Sequence, residues 1–329
     1  MDEFNKALEK LKAQGITSLV LDLSGNGGGY LNRAVELADE FLPEGKKIVY
    51  TRGRASSPED YYSTSTGGWE KGKLVVLLDE TSASASEIVS GAIQDWDRGL
   101  LIGRRSFGKG LVQKPFQLSD GSVIRLTVAH YYTPSGRCIQ KPYTLGDDED
   151  YDLDISNRLK HGELSNKDSI HFGDTTKYFT NSKRLVYGGG GIMPDFFIPI
   201  DTSMNSAYLF DLFRKNVFND FLLTYVDNNR AALKAEYPDI SVFRKTYKME
   251  QSFFDDFIAY GEKQGVKRDA EGLKISESFI RHELKAQIAR NLWDTDAYVE
   301  VRNESNAFVT KAIETIQSNA FEKMKIAEK

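Results

Sequence analysis

The run LVVLLD, Leu74 to Asp79, has five consecutive apolar residues and no polar alternation. A strand of this kind must be covered on both faces, which points to a parallel sheet with helices packed above and below it. ITSLVLDL, residues 16–23, is a second such run. Helical patterns flank the two. Phe4, Ala7, Leu8 and Leu11 share one face before the first run, and Leu37, Ala38, Phe41 and Leu42 share another after it, where Pro43 and Gly45 stop the helix. Further strands are expected at 46–50 and from Leu101, with a helix over 84–96. This alternation predicts an α/β fold built on a mostly parallel sheet.

Beyond it, SVIRLTVAHYY (122–132) alternates with period two and ends in the turn TPSG. Residues 141–187 lose periodicity and read as a polar insertion, and GGGGIMPDFFIPI (188–200) returns the chain to a strand. From about Ser203 helical spacing dominates, with Ile280, Leu284, Ile288 and Leu292 on one stripe. A boundary is therefore expected near 202, with a core over 1–202 and a helical accessory region over 203–329.

A net charge of −5 over 329 residues argues against nucleic acid as the main partner. No apolar run reaches the ~18 residues needed to span a membrane, and the N-terminal helix lacks the apolar centre of a signal peptide. Cys138, the single cysteine, excludes an intrachain disulfide and reads as a structural thiol.

Several motifs approach known chemistry and miss it. GRRSFGKG (103–110) fits the phosphate-loop pattern until Gly110 replaces the Ser or Thr that would bind magnesium, and a strand follows where a helix is required. Asp148, Asp150, Asp152 and Asp154 alternate as in a calcium loop, but neither register has the needed glycine and glutamate, so a solvated acidic loop is expected. SGNGGG (24–29) lacks the third glycine of a dinucleotide fingerprint. Its glycines still leave backbone N–H groups open to an anion or a developing oxyanion. No metal or cofactor is expected.

Of the four histidines only His130, on a core-like strand, is placed to serve a Ser-His-Asp triad. In DETSASASEIVSGAIQD (79–95) small residues cluster where a buried strand meets a helix, and Ser84 by itself reads first as a helix N-cap. Lys109 offers the alternative of a lysine general base for that serine. Only an uncharged amine can take the proton, and burial favours that form. Phe107, Leu111 and two flanking glycines give Lys109 an apolar setting, and Gln113 is expected on the same strand face.

Five ordered blocks, LVLDLSGNGGG, DETSASASEIVSGAIQD, IGRRSFGKGLVQ, LTVAHYYTPSGRCIQ and GGGGIMPD, resemble the carboxy-terminal processing peptidases, also called tail-specific proteases. The resemblance implies a crotonase-like β-α spiral core and a serine endopeptidase that cuts protein or peptide substrates toward their C-terminal region. Residue by residue it makes Ser84 the nucleophile, Lys109 the general base and Gln113 its support. The oxyanion donors are then the N–H of Ala85 and that of Gly28, with Gly29 as the alternative. It also implies an extracytoplasmic, in bacteria periplasmic, location. The family carries a peptide-binding PDZ domain ahead of the first block, whereas this sequence opens at the helix before that block, so a fragment of a longer protein is expected. The competing expectation is a catalytically inactive peptide-binding or scaffolding protein on the same fold.

Overall fold

A computed structural model describes residues 1–54, 56–143, 151 and 153–326. The chain divides into two compact units, Met1–Ile200 with Ala307–Lys329, and Asp201–Asn306.

The first unit opens with α1 (Asp2–Ala13), β1 (Ser18–Asp22), α2 (Leu31–Asp39), β2 (Lys47–Arg52), β3 (Glu59–Tyr62), β4 (Lys73–Leu78), α3 (Ala85–Asp95) and β5 (Leu100–Gly103). It continues with β6 (Leu111–Gln117), β7 (Val123–Tyr132), α4 (Asp154–Lys160), β8 (Tyr178–Phe179), β9 (Leu185–Val186) and β10 (Phe196–Phe197). Strands β1, β4, β5 and β10 form a parallel sheet in the order β1-β4-β5-β10. Its central strands obey the two-sided rule closely. Leu74, Val76, Leu78 and Leu101 point into one core with α2 and α3, while Val75, Leu77, Leu100 and Ile102 point into a second core on the opposite face.

That second core corrects the expected boundary. Phe308, Ala312, Phe321 and Ile326 fill it, the first three carried by two helices at Ala307–Gln317 and Ala320–Lys323 and Ile326 following the second. The end of the chain thus belongs to the first unit and not to one continuous helical region over 203–329. Without it four buried side chains of β4 and β5 would face water, at a cost of about 1.5–3 kcal/mol each.

The remaining long strands depart from the expected parallel arrangement. They form a separate antiparallel sheet in the order β3-β2-β7-β6. Over Gln113–Gln117 and Val123–Thr127 the β6–β7 hairpin is exposed on both faces. Helix α3 runs through the core with every residue from Ser86 to Asp95 buried. Gly91 makes this possible on one side, since a Cβ there would meet Thr133 Cγ2, in the TPSG turn, at 2.9 Å.

The second unit is helical: Ala207–Arg214, Val217–Glu236, Ile240–Thr246, Gln251–Lys263, Ala270–Leu292 and Thr295–Arg302. Ser206, Asp239, Asp269 and Asp294 each accept a hydrogen bond from the N–H three residues on, a cap worth about 1 kcal/mol. Ile280, Leu284, Ile288 and Leu292 are buried together with Phe243 and Phe257.

Candidate active site

Ser84 stands at the junction between β4 and α3 with φ 56° and ψ −112°. An N-capping serine ordinarily has an extended backbone; a non-glycine residue at positive φ is uncommon and marks strain that surrounding contacts must hold. Those contacts come from the serines beside it. Ser82 Oγ donates to Leu23 O at 2.8 Å, Ser86 Oγ to Asn26 O at 2.9 Å, and Ala83 N to Asn26 O at 3.0 Å. The small residues of SASAS therefore tie the glycine loop after β1 against the Ser84 turn.

Gly28 is the point of contact. Its φ is 97°, and a Cβ there would lie 2.5 Å from Ala83 O and 2.8 Å from both Ala85 N and Ser84 Cβ. Gly28→Ala is expected to cost about 2–4 kcal/mol through overpacking and positive-φ strain together, read as a fall in thermal midpoint. Wild-type stability in that variant would remove the close approach. The Gly28 N–H itself donates to Asn26 Oδ1 at 2.9 Å. Neither the next N–H, that of Gly29, nor that of Ala85 has a hydrogen-bond partner among the described residues.

Lys109 arrives on the loop between β5 and β6. One buried carboxylate joins this loop to the serine turn. Glu87 Oε2 accepts from Ser84 N and from Lys109 N, each at 2.8 Å, while Oε1 accepts from Gly108 N at 2.7 Å and Ser106 Oγ at 2.6 Å. The Ser84 and Lys109 amide nitrogens share one oxygen and so lie no more than twice 2.8 Å, or 5.6 Å, apart. Burial is the largest influence on Glu87 and pushes its carboxyl up, while the four donors pull it back. Both oxygens are saturated with donors, so the ionised carboxylate is the form that satisfies all four. Glu87 was not singled out in the sequence, although Ser84-x-x-Glu87 carries the spacing of a capping box.

The last of the five blocks packs on the same loop. A Cβ on Gly191 would lie 2.4 Å from Ser106 O, and one on Gly108 would lie 3.0 Å from Gly191 N.

Two expectations about the surroundings of the pair fail. The apolar enclosure of Lys109 is absent: the residue is exposed. Phe107 turns instead beneath the Lys141 ammonium, 3.9 Å from the ring centre, and against Tyr151. Gln113 is exposed and makes no side-chain hydrogen bond among the described residues. The β6–β7 register shifts between Val112 and Gln113, which breaks the simple alternation that placed Gln113 on the face of Lys109. His130 pairs across the ladder with Leu111 on one side and Arg52 on the other. Burial pushes the Cys138 thiol up, as befits a structural thiol. Of the acidic run, Asp148, Asp150 and Asp152 lie outside the described residues, and Asp154 stands 3.3 Å from Lys141 Nζ and 2.9 Å from Arg158 Nε.

Residues 1–151 match peptidase family S41. This stretch, just under half of the chain, is similar to that family. It is 43% identical over 139 residues to a carboxyl-terminal-processing protease of Synechocystis, covering 42% of this chain and 32% of the relative. It is 45% identical over 132 residues to a carboxy-terminal-processing protease of Bartonella bacilliformis, covering 40% and 30%. The chain thus spans about a third of the length of these relatives. A solved photosystem II D1 C-terminal processing protease aligns with 59% of the chain and 38% of its own at 29% identity and a TM-score of 0.42. All five quoted blocks begin within the first unit; the S41 match takes in the first four, and GGGGIMPD follows it. Residues 208–294, in the second unit, match a family of unknown function, DUF8443.

Proposed function

We propose that the protein is a serine endopeptidase that cleaves protein or peptide substrates toward their C-terminal region through a Ser84–Lys109 pair. The observation that carries this reading is the Glu87 carboxylate, whose single Oε2 accepts from the main-chain N–H of both residues. Uncharged Lys109 takes the Ser84 proton as the hydroxyl attacks the peptide carbonyl. It then protonates the leaving amine, and water repeats the cycle on the acyl-enzyme. The strained backbone at Ser84 suits a nucleophile presented at a turn. For the oxyanion, the Ala85 N–H and the Gly29 N–H are the better pair, because Gly28 donates to Asn26. The supporting role of Gln113 rests on the resemblance alone, since its exposed side chain makes no hydrogen bond among the described residues. The spiral arrangement of crotonase-like folds and an extracytoplasmic location belong to the same proposal and rest on the resemblance.

The exposure of Lys109 favours a second reading, a peptide-binding protein without catalysis. The peptidase reading requires a bound substrate to cover the amine and exclude water from it. Mass spectrometry after treatment with a fluorophosphonate probe separates the two. Labelling at Ser84, reduced about 100-fold or more in Lys109→Ala, is expected for the peptidase; an unlabelled Ser84 in the parent chain would leave the binding reading in place.

A further inference from the structure

The main chain of the Lys109 loop is held almost completely. Ser106 N donates to Ile192 O at 3.1 Å, Phe107 N to Ser82 O at 2.9 Å, Gly108 N and Lys109 N to Glu87, and Gly110 N to Gln140 Oε1 at 2.8 Å. Lys141 N donates to Gly108 O at 2.9 Å and Tyr131 N to Gly110 O at 2.7 Å. Three successive carbonyls have no main-chain partner among the described residues. Arg158 serves all of them: Nη1 donates to Arg105 O at 3.3 Å and Ser106 O at 2.8 Å, and Nη2 donates to Phe107 O at 2.9 Å.

Arg158 comes from α4, inside the polar segment and past the end of the S41 match. It is buried, and burial lowers its pKa to about 10, which still leaves it charged at neutral pH. Asp154, one turn earlier, stands 2.9 Å from its Nε without the alignment of a hydrogen bond, and Lys141 shares that carboxylate at 3.3 Å. A polar surface insertion has no need to bury an arginine under a loop. A planar fork of donors does suit three carbonyls pointing the same way.

We infer that Arg158 is a positioning residue for Lys109: its guanidinium gathers the carbonyls of 105–107 from one side while Glu87 gathers the amides of 108 and 109 from the other. The loop is thereby held in one conformation before substrate arrives. The inference deepens the Ser84–Lys109 reading and rests on it.

The test uses the full chain and the variants Arg158→Gln, Arg158→Lys and Arg158→Ala. Two readouts are taken: the rate of fluorophosphonate labelling at Ser84, and amide hydrogen exchange at Gly108 and Lys109. In Arg158→Gln labelling is expected to slow about 10- to 100-fold, the size of effect that a small misplacement produces, with faster exchange at both amides. Arg158→Lys, which can reach one carbonyl, should fall between, and added guanidinium ion should restore part of the rate in Arg158→Ala. Should Arg158→Gln fail to fold, Arg158→Lys carries both comparisons. A parent chain unlabelled at Ser84 overturns the peptidase reading and this inference with it. A labelled parent whose Arg158 variants match it in rate and in exchange overturns the role of Arg158 alone.

Discussion

Ser84→Ala is expected to abolish peptide hydrolysis, lowering kcat/KM by at least about 10,000-fold while leaving the fold in place. The most the hydroxyl can give the helix start is one cap, worth about 1 kcal/mol, and alanine tolerates the φ of 56° about as well as serine does, so stability should change by no more than about 1 kcal/mol. That separation makes the variant informative. A casein or peptide assay beside a thermal melt reads both quantities. Loss of rate without loss of melting temperature fits a nucleophile; hydrolysis at the parent's rate would dismiss Ser84 from the chemistry whatever the family resemblance.

Glu87→Ala should produce the largest loss of stability of any single change near the site, about 3–5 kcal/mol. It would strand three main-chain N–H groups and a serine hydroxyl inside the core, and each buried unsatisfied group costs about 1–3 kcal/mol before the structure relaxes. Glu87→Gln is expected to recover little. Each carboxylate oxygen faces two donors, so in either orientation the amide NH2 would meet N–H or O–H groups where an acceptor is needed. Chemical denaturation with both variants distinguishes this from a generic core residue. A glutamine variant as stable as the parent would mean that the negative charge is not what the loop and the turn hold in common. Ser84 labelling should fall in parallel, because the same oxygen sets the spacing between the Ser84 and Lys109 backbones.

Much of this site was legible because its chemistry is local. Glycines bounded by a strand and a helix, small residues at a strand-to-helix junction, and Lys109 between two glycines are short-range patterns, and LVVLLD announced a two-faced sheet. What escaped notice depends on the path of the chain. Glu87 reads as the third residue of a helix, and nothing near it says that its carboxylate reaches a loop twenty residues on. Arg158 stands in a stretch without periodicity. Phe107 and Leu111 adjoin Lys109 in sequence and so suggest an apolar collar, but Phe107 is claimed by Lys141 and Tyr151. The period-two pattern of 122–132 correctly announced a strand; its partners, β2 and β6, were set by tertiary pairing. Likewise the helical spacing of 307–317 declares a helix but not the sheet face that it covers.

That closing helix also bears on how the protein is made. The helical unit is inserted between two pieces of the first unit, so the second piece is made only after the helical unit. During synthesis one side of β4 and β5 stays uncovered while more than a hundred further residues are added. The sheet can therefore be sealed only once the helical unit has been made, and a nascent chain stalled before residue 307 would display Val75, Leu77, Leu100 and Ile102 to any chaperone at hand.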